Sequence, residues 1–197
     1  MPFAVIYDAC VLHPAPLRDL LMRLAGAGLV QARWSSMILD ECFRSIERER
    51  PELAPARLAR TRELMERALP AAMVQDFESL VDSVTLPDPD DRHVVAAAIR
   101  AGAQAIVTFN LRDFPAEVLR LYDLDAKHPD EFVLDCLDLA PALVANCVRE
   151  QAGALRQPAR SVADVLADLR AGGLVQSVAR LHELFGDGAP TPRASPG

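Results

Sequence analysis

Lysine is almost absent. Of 21 basic residues only Lys127 is one, and the formal charge is −7. That balance excludes a globally basic protein that coats nucleic acid non-specifically, although a local basic groove stays open. Cysteine is sparse as well: Cys10, Cys42, Cys136 and Cys147 lie far apart, with no C-x-x-C pair and no histidine at zinc-finger spacing. A disulfide framework or a structural zinc is not expected. No stretch approaches the roughly 20 apolar residues that span a bilayer, and the first apolar run breaks at Asp8 with no basic segment before it. Neither a secretory signal nor a membrane partner is expected, and the location is read as cytoplasmic. The absence of a G-x-x-x-x-G-K-[ST] loop excludes a P-loop nucleotide hydrolase.

What is present is apolar material in short runs. Hydrophobic residues make up 51% of 197, enough for one sizeable core. Phe3 to Tyr7 is a continuous apolar run, the mark of a strand buried on both faces. A helix follows with Pro16 in its first turn, a stripe of Leu17, Leu20, Leu21 and Leu24, and Gly26 and Gly28 to end it. Leu29 to Trp34 reads as a second strand. Ser35 or Ser36 caps the next helix, whose buried side carries Ile38, Cys42, Phe43 and Ile46. Helices are expected over 54–69 and 73–84. Asp88 then suits an N-cap, Pro89 the first helical position, and Gly102 the left-handed stop of a helix through Val94 to Ile99. Ala103 to Phe109 is a strand, Pro115 to Leu121 a short helix and Tyr122 to Ala126 an edge strand. Strands alternating with helices imply an α/β fold with a parallel central sheet flanked by helices.

In such sheets, ligand sites lie beyond the carboxyl ends of the strands. Four acidic blocks are expected there: Asp8 after the first strand, Glu41 early in a helix, the run Asp88-Pro-Asp-Asp91, and Asn110 to Asp113 after Ala105 to Phe109. Carboxylates held together repel unless protonated or bridged by cations. Mg²⁺ or Mn²⁺, which prefer oxygen ligands, are the natural occupants. Asp88 and Asp90 also suit a helix cap and its dipole, and His93 reads as a packing or solvent-facing residue. A haloacid-dehalogenase-type phosphatase would want aspartate where Cys10 stands, and a receiver domain would want adjacent acids after the first strand.

Together, Y-D-A-C-V-L at Asp8, S-x-x-I-L-D-E at Glu41, L-P-D-P-D-D-R-H at Asp91 and T-F-N-L-R-D-F from Thr108 resemble, in order and separation, the four signature blocks of the PIN-domain nucleases. The last two blocks are similar to a bacterial branch containing VapC-like toxins. The resemblance covers about residues 3 to 135. It implies a PIN-like fold, metal-dependent cleavage of RNA, and a cognate antitoxin protein as partner. Asp8, Glu41 and Asp91 match three acidic positions of the family. At the fourth, many PIN domains have aspartate where this chain has Asn110, so Asp113 or Asp88 is expected to supply the missing charge. Thr108 and Asn110 are expected to orient water, and Arg44, one turn beyond Glu41, to face a substrate phosphate. A degenerate PIN domain that binds RNA or protein without cutting is the alternative that Asn110 keeps open.

Arginines from Arg44 to Arg67 are interleaved with glutamates and read first as a solvated helical face laced with ion pairs. The nuclease domain is expected over 1–138, a C-terminal helical extension over 139–185 and a disordered tail over 186–197. In the extension, Ala140 to Gln151 and Val162 to Phe185 read as amphipathic helices. Val162, Val165, Leu166 and Leu169, then Leu174, Val178, Leu181 and Leu184, form apolar stripes. Their first reading is intramolecular packing; a homodimer or antitoxin surface is the other.

Overall fold

The computed structural model describes residues 3–156 and 158–186. Residues 187–197, which carry almost all of the expected disordered tail, lie outside the described residues. In chain order the elements are β1 (Phe3–Tyr7), α1 (Ala9–Leu12), α2 (Ala15–Gly26), β2 (Val30–Ser35), α3 (Ser36–Glu49), α4 (Pro55–Ala68), β3 (Met73–Val74), α5 (Glu78–Val81), α6 (Arg92–Ala101), β4 (Ala105–Val107), α7 (Ala116–Leu119), β5 (Asp125–Lys127), α8 (Pro129–Leu139), α9 (Pro141–Ala154), α10 (Val162–Ala171) and α11 (Val175–Gly186). Among the described residues, no helix is long and apolar enough to cross a membrane.

The five strands form one sheet in the order β3-β2-β1-β4-β5, and every pairing is parallel. The expected α/β class is the observed one. β1 sits at the centre, so Val5, Ile6 and Tyr7 are wholly buried. Helix α2 lays Leu17, Leu20, Leu21 and Leu24 into the core. Helix α3 starts where expected, the Ser35 hydroxyl oxygen accepting from the Ile38 N–H at 3.2 Å, and buries Ile38, Leu39, Cys42 and Ile46. Gly102 stops α6 at φ 59°, in the left-handed region.

Two expectations are corrected. The stretch 73–84 is not one helix: Met73 and Val74 pair with Trp34 and Ser35 as an edge strand. Asp76, at φ 58°, then turns the chain into the four-residue α5. A sheet edge offering unpaired backbone groups outweighed helical propensity in a segment too short to hold both faces. Likewise Val162 to Phe185 is two helices, because Gly173 at φ 102° breaks the run between α10 and α11.

The apolar stripes of the extension pack within the molecule. Val165, Leu166, Leu169, Leu174, Val178 and Leu181 are all buried in the common core. One polar joint holds α11 in place. The buried Asp130 carboxylate on α8 accepts from the N–H groups of Gln176 at 2.9 Å and Ser177 at 2.8 Å, and the Ser177 hydroxyl donates to the Asp130 carbonyl at 2.8 Å. A second joint is steric: a Cβ on Gly173 would lie 3.2 Å from the Phe109 ring, and the same ring meets the His128 imidazole edge-on at 5.2 Å. The extension therefore rests on the loop that follows β4.

Asp130→Ala should orphan two N–H groups at the start of α11 and lower stability at pH 7 by about 1–3 kcal/mol. Burial raises the Asp130 carboxyl, but its bonds from Ser177 and Gln176 outweigh that and hold it below the usual range. Its contribution is thus complete above the unfolded value near 3.8 and is lost as pH falls through the lower folded one. Denaturant melts of both proteins should converge in acid; an equal gap at pH 3 and pH 7 would contradict this account.

Candidate functional site

β1 and β4 run side by side with Tyr7 opposite Val107, so the next residues, Asp8 and Thr108, meet at the carboxyl edge of the sheet. Asp8 is only 3% exposed. Its Oδ1 accepts from the Ala9 N–H at 2.7 Å and caps α1. Its Oδ2 accepts from the Thr108 hydroxyl at 2.7 Å and from the Cys10 thiol at 3.1 Å. A carboxylate oxygen has two lone pairs, so Oδ2 is filled while Oδ1 keeps one free. The Thr108 hydroxyl oxygen also accepts from the Asn110 N–H at 2.9 Å. Thr108, expected to orient water, is fully buried and instead gives its proton to Asp8. Its place is behind the acid, not in front of it.

Burial raises the Asp8 carboxyl, the bonds from Cys10 and Thr108 lower it, and the charge on Glu41 raises it again, with a net rise. The Cys10 thiol, pushed up to about 12 by burial and then by Asp8, stays protonated and keeps donating.

Asp91 is half-buried at the entrance to α6. The cap is made elsewhere: the Asp88 carboxylate accepts from the Asp90 N–H at 2.9 Å, and no side-chain cap bond is made by Asp91. Its carboxyl is pushed up to about 7, first by burial and then by the charges of Asp8, Asp88, Glu41 and Asp113. Three sequence-distant carboxylates and the neighbouring Asp88 are thus felt at one oxygen pair. Glu41 projects from α3 and faces His93, Oε2 to Nε2 at 3.4 Å. His93 is buried and its Nδ1 has no partner among the described residues.

In front of these groups lies a cavity of about 590 Å³, lined by Glu41, Asp88, Asp91, Asn110, Asp113 and Arg44, with Met37, Asp40, Asp90 and His93 completing its wall. All the predicted site residues except Asp8 and Thr108 line it. Arg44 is exposed, whereas Arg50, Arg60, Arg62 and Arg67 are paired with carboxylates as the interleaved pattern suggested. Among the described ion pairs, none engages Arg44. Cys10 and His93 are the site residues that sequence reasoning did not select. Cys10 had a signal, standing two residues past Asp8 on the first turn of a helix; His93 had none, since its contact with α3 is tertiary.

Does a divalent cation fit here? The donor set is all oxygen, the charges that raise Asp91 are all carboxylates, and Asp8 retains a lone pair; these suit a hard ion. Among the described residues, no three acidic, histidine or cysteine groups already stand close enough to hold one.

The PIN domain family matches residues 4–112, more than half the chain, and the VapC50 C-terminal domain family matches residues 129–183. A Mycobacterium tuberculosis protein named "Putative ribonuclease VapC50" is 38% identical over 103 residues, 51% of this chain and 59% of that relative. The match therefore spans less than two thirds of the relative's length. No solved structure matches the chain.

The raised Asp91 carboxyl makes a signed prediction for protein kept in chelator. A group whose folded value lies above its unfolded one stabilises most below the unfolded value, near 3.8, and that contribution is lost as pH rises through about 7. Asp91→Asn should therefore melt higher than wild type at pH 8 and keep only a smaller part of that advantage at pH 5. A variant that melts lower at both values would mean that Asp91 acts as a favourable helix-end charge.

Proposed function

The chain belongs to the PIN domain family, and from that premise we propose that it is an Mg²⁺- or Mn²⁺-dependent endoribonuclease that hydrolyses RNA phosphodiester bonds as the toxin of a toxin–antitoxin pair, with a cognate antitoxin protein as partner and the cytoplasm as location. The observation that carries this reading is the convergence of Asp8, Glu41, Asp88 and Asp113 on Asp91, beside an arginine without an ion-pair partner. The two matched regions and the Mycobacterium tuberculosis relative support it.

In this reading Asp8, Glu41 and Asp91 hold the cation, with Asp113 nearest to replacing the acid that Asn110 lacks. Asp88, already engaged with the Asp90 N–H, contributes charge to the cavity and at most its remaining lone pairs. When bound, the cation lowers the pKa of water and neutralises charge developing on the phosphate oxygens. The protein's own groups do the rest. Thr108 and Cys10 fix the Asp8 carboxylate from behind, His93 faces Glu41, Asn110 can orient water at the cavity rim, and Arg44 can donate to a non-bridging phosphate oxygen. Hydrolysis joins the water oxygen to phosphorus and breaks one bridging P–O bond, the departing oxygen leaving as an alcohol. The sequence-based division at residue 138 is retained as a proposal, with α8 the connecting element through its packing on α9 and α11.

A non-catalytic binding module is the second reading, and the exposed Asn110 in the cavity wall favours it. Purified wild type should cut a mixed RNA pool only with Mg²⁺ or Mn²⁺, and Asp8→Asn should not cut. Equal, metal-independent traces from both would favour the binding module. At Mg²⁺ about 100-fold above its dissociation constant, wild type should gain roughly 2.7 kcal/mol in stability.

Thr108→Val, which keeps shape but removes the proton given to Asp8, should weaken apparent metal affinity about ten- to a hundredfold, read as a shift in the Mg²⁺ midpoint of melting. An unchanged midpoint would remove Thr108 from the site.

A further inference from the structure

We infer that a second pocket beside the acidic cavity receives a nucleobase adjoining the scissile phosphate of a single-stranded RNA; this rests on the ribonuclease reading and names the substrate's form. The pocket, of about 390 Å³, lies between α3 and the start of α4 and shares Asp40 and Arg44 with the acidic cavity. The two adjoin at these shared residues, and Arg44 faces both. A cation without an ion-pair partner at that point suits the phosphate that links a base in one chamber to a reacting phosphodiester in the other.

The lining matches a base. Phe43, Pro55 and Leu58 give apolar surface for its face, while Asp40 and Glu47 offer acceptors and Arg62 donors for its edge. Arg62 is held by Asp40 and, at 3.1 Å, by Glu66, so this wall is ordered before any ligand enters and less freedom is lost on binding. A volume near the lower end of the roughly 300–1,000 Å³ typical of small-ligand pockets suits one base and not a helix. A base can enter only when unpaired and unstacked, which selects single strands, loops and bulges over duplex.

Charge sets the direction. The chamber on the other flank, about 270 Å³ and bounded by Cys10, His13, Glu41 and Glu49, has two carboxylates and no arginine in its wall. It repels a phosphate, so the strand is held on the Arg44 side.

Ala59 is an exposed wall residue of the base pocket, and Ala59→Trp fills it; Ala56→Trp, on the same helix but outside the pocket, controls for added bulk. Two measurements decide. Ends mapped from a random-sequence RNA pool cut by wild type should show a base preference at one position next to the break. Ala59→Trp should erase or change that preference while Ala56→Trp keeps it. Separately, with Asp8→Asn in the background to prevent cutting, ten-nucleotide single-stranded RNAs should bind about five- to a hundredfold more weakly when Ala59→Trp is added, and matched abasic strands should not. Wild-type preference retained by Ala59→Trp, or equal weakening for base-bearing and abasic strands, would overturn the inference while leaving the nuclease reading intact. No cutting by wild type under Mg²⁺ or Mn²⁺ would overturn the nuclease reading, and the binding measurement would then judge the pocket alone.

Discussion

Everything at the site depends on a carboxylate buried where two parallel strands stop. An Asp8 that is 3% exposed is costly to ionise, and it is tolerated because Thr108, Cys10 and the Ala9 N–H all donate to it. The register of β1 on β4 makes those donors available. A slip of one residue would turn every side chain of β4 to the opposite face and leave the acid without its hydroxyl partner. Burial and register therefore constrain each other: the central strand needs the apolar run of Val5 to Tyr7, and that run delivers the acid to its end.

Much of this was legible in the sequence. Short apolar runs closed by polar residues gave the strands away, and Ser35, Asp88 and Gly102 marked helix ends because their side chains or backbone preferences act locally. The acidic blocks at Asp8, Asp88 to Asp91 and Asn110 to Asp113 were readable for the same reason, each beside the end of an element whose period could be counted. Glu41 lay within the early turns of a helix whose cap was readable. What stayed hidden was tertiary. Met73 and Val74 became a strand only because β2 offered an open edge. His93 opposite Glu41 joins two helices 52 residues apart in sequence, a separation of 93 minus 41 that no local pattern encodes. Thr108 was visible as part of a motif, but its direction was not: the same hydroxyl faces water or faces Asp8 according to the neighbour packed behind it.

The electrostatics follow one logic on two scales. Around Asp91 burial first, and then the gathered like charges, push the carboxyl up to about 7. On α4 opposite charges alternate at helical spacing and largely cancel, as with Arg62 beside Glu66 or Arg67 beside Glu63, and Arg62 also pairs with Asp40 of α3. Arg44 stands between the two regimes. A chain with net charge −7 thereby keeps a cation for an anionic ligand without a basic surface at large.

The contact of Gly173 with Phe109 reaches beyond packing. Phe109 sits between Thr108, which holds Asp8, and Asn110, which lines the cavity, while Gly173 belongs to the turn between the last two helices. The turn and the loop are keyed to one another like a notch and its tooth. A chimera that grafted another protein's terminal helices onto this sheet would have to bring a notch of the same depth, or the tooth would shift and carry its two neighbours with it. The two halves of the chain are thus not freely interchangeable parts, and recombination between them is limited by the room for a single methyl group.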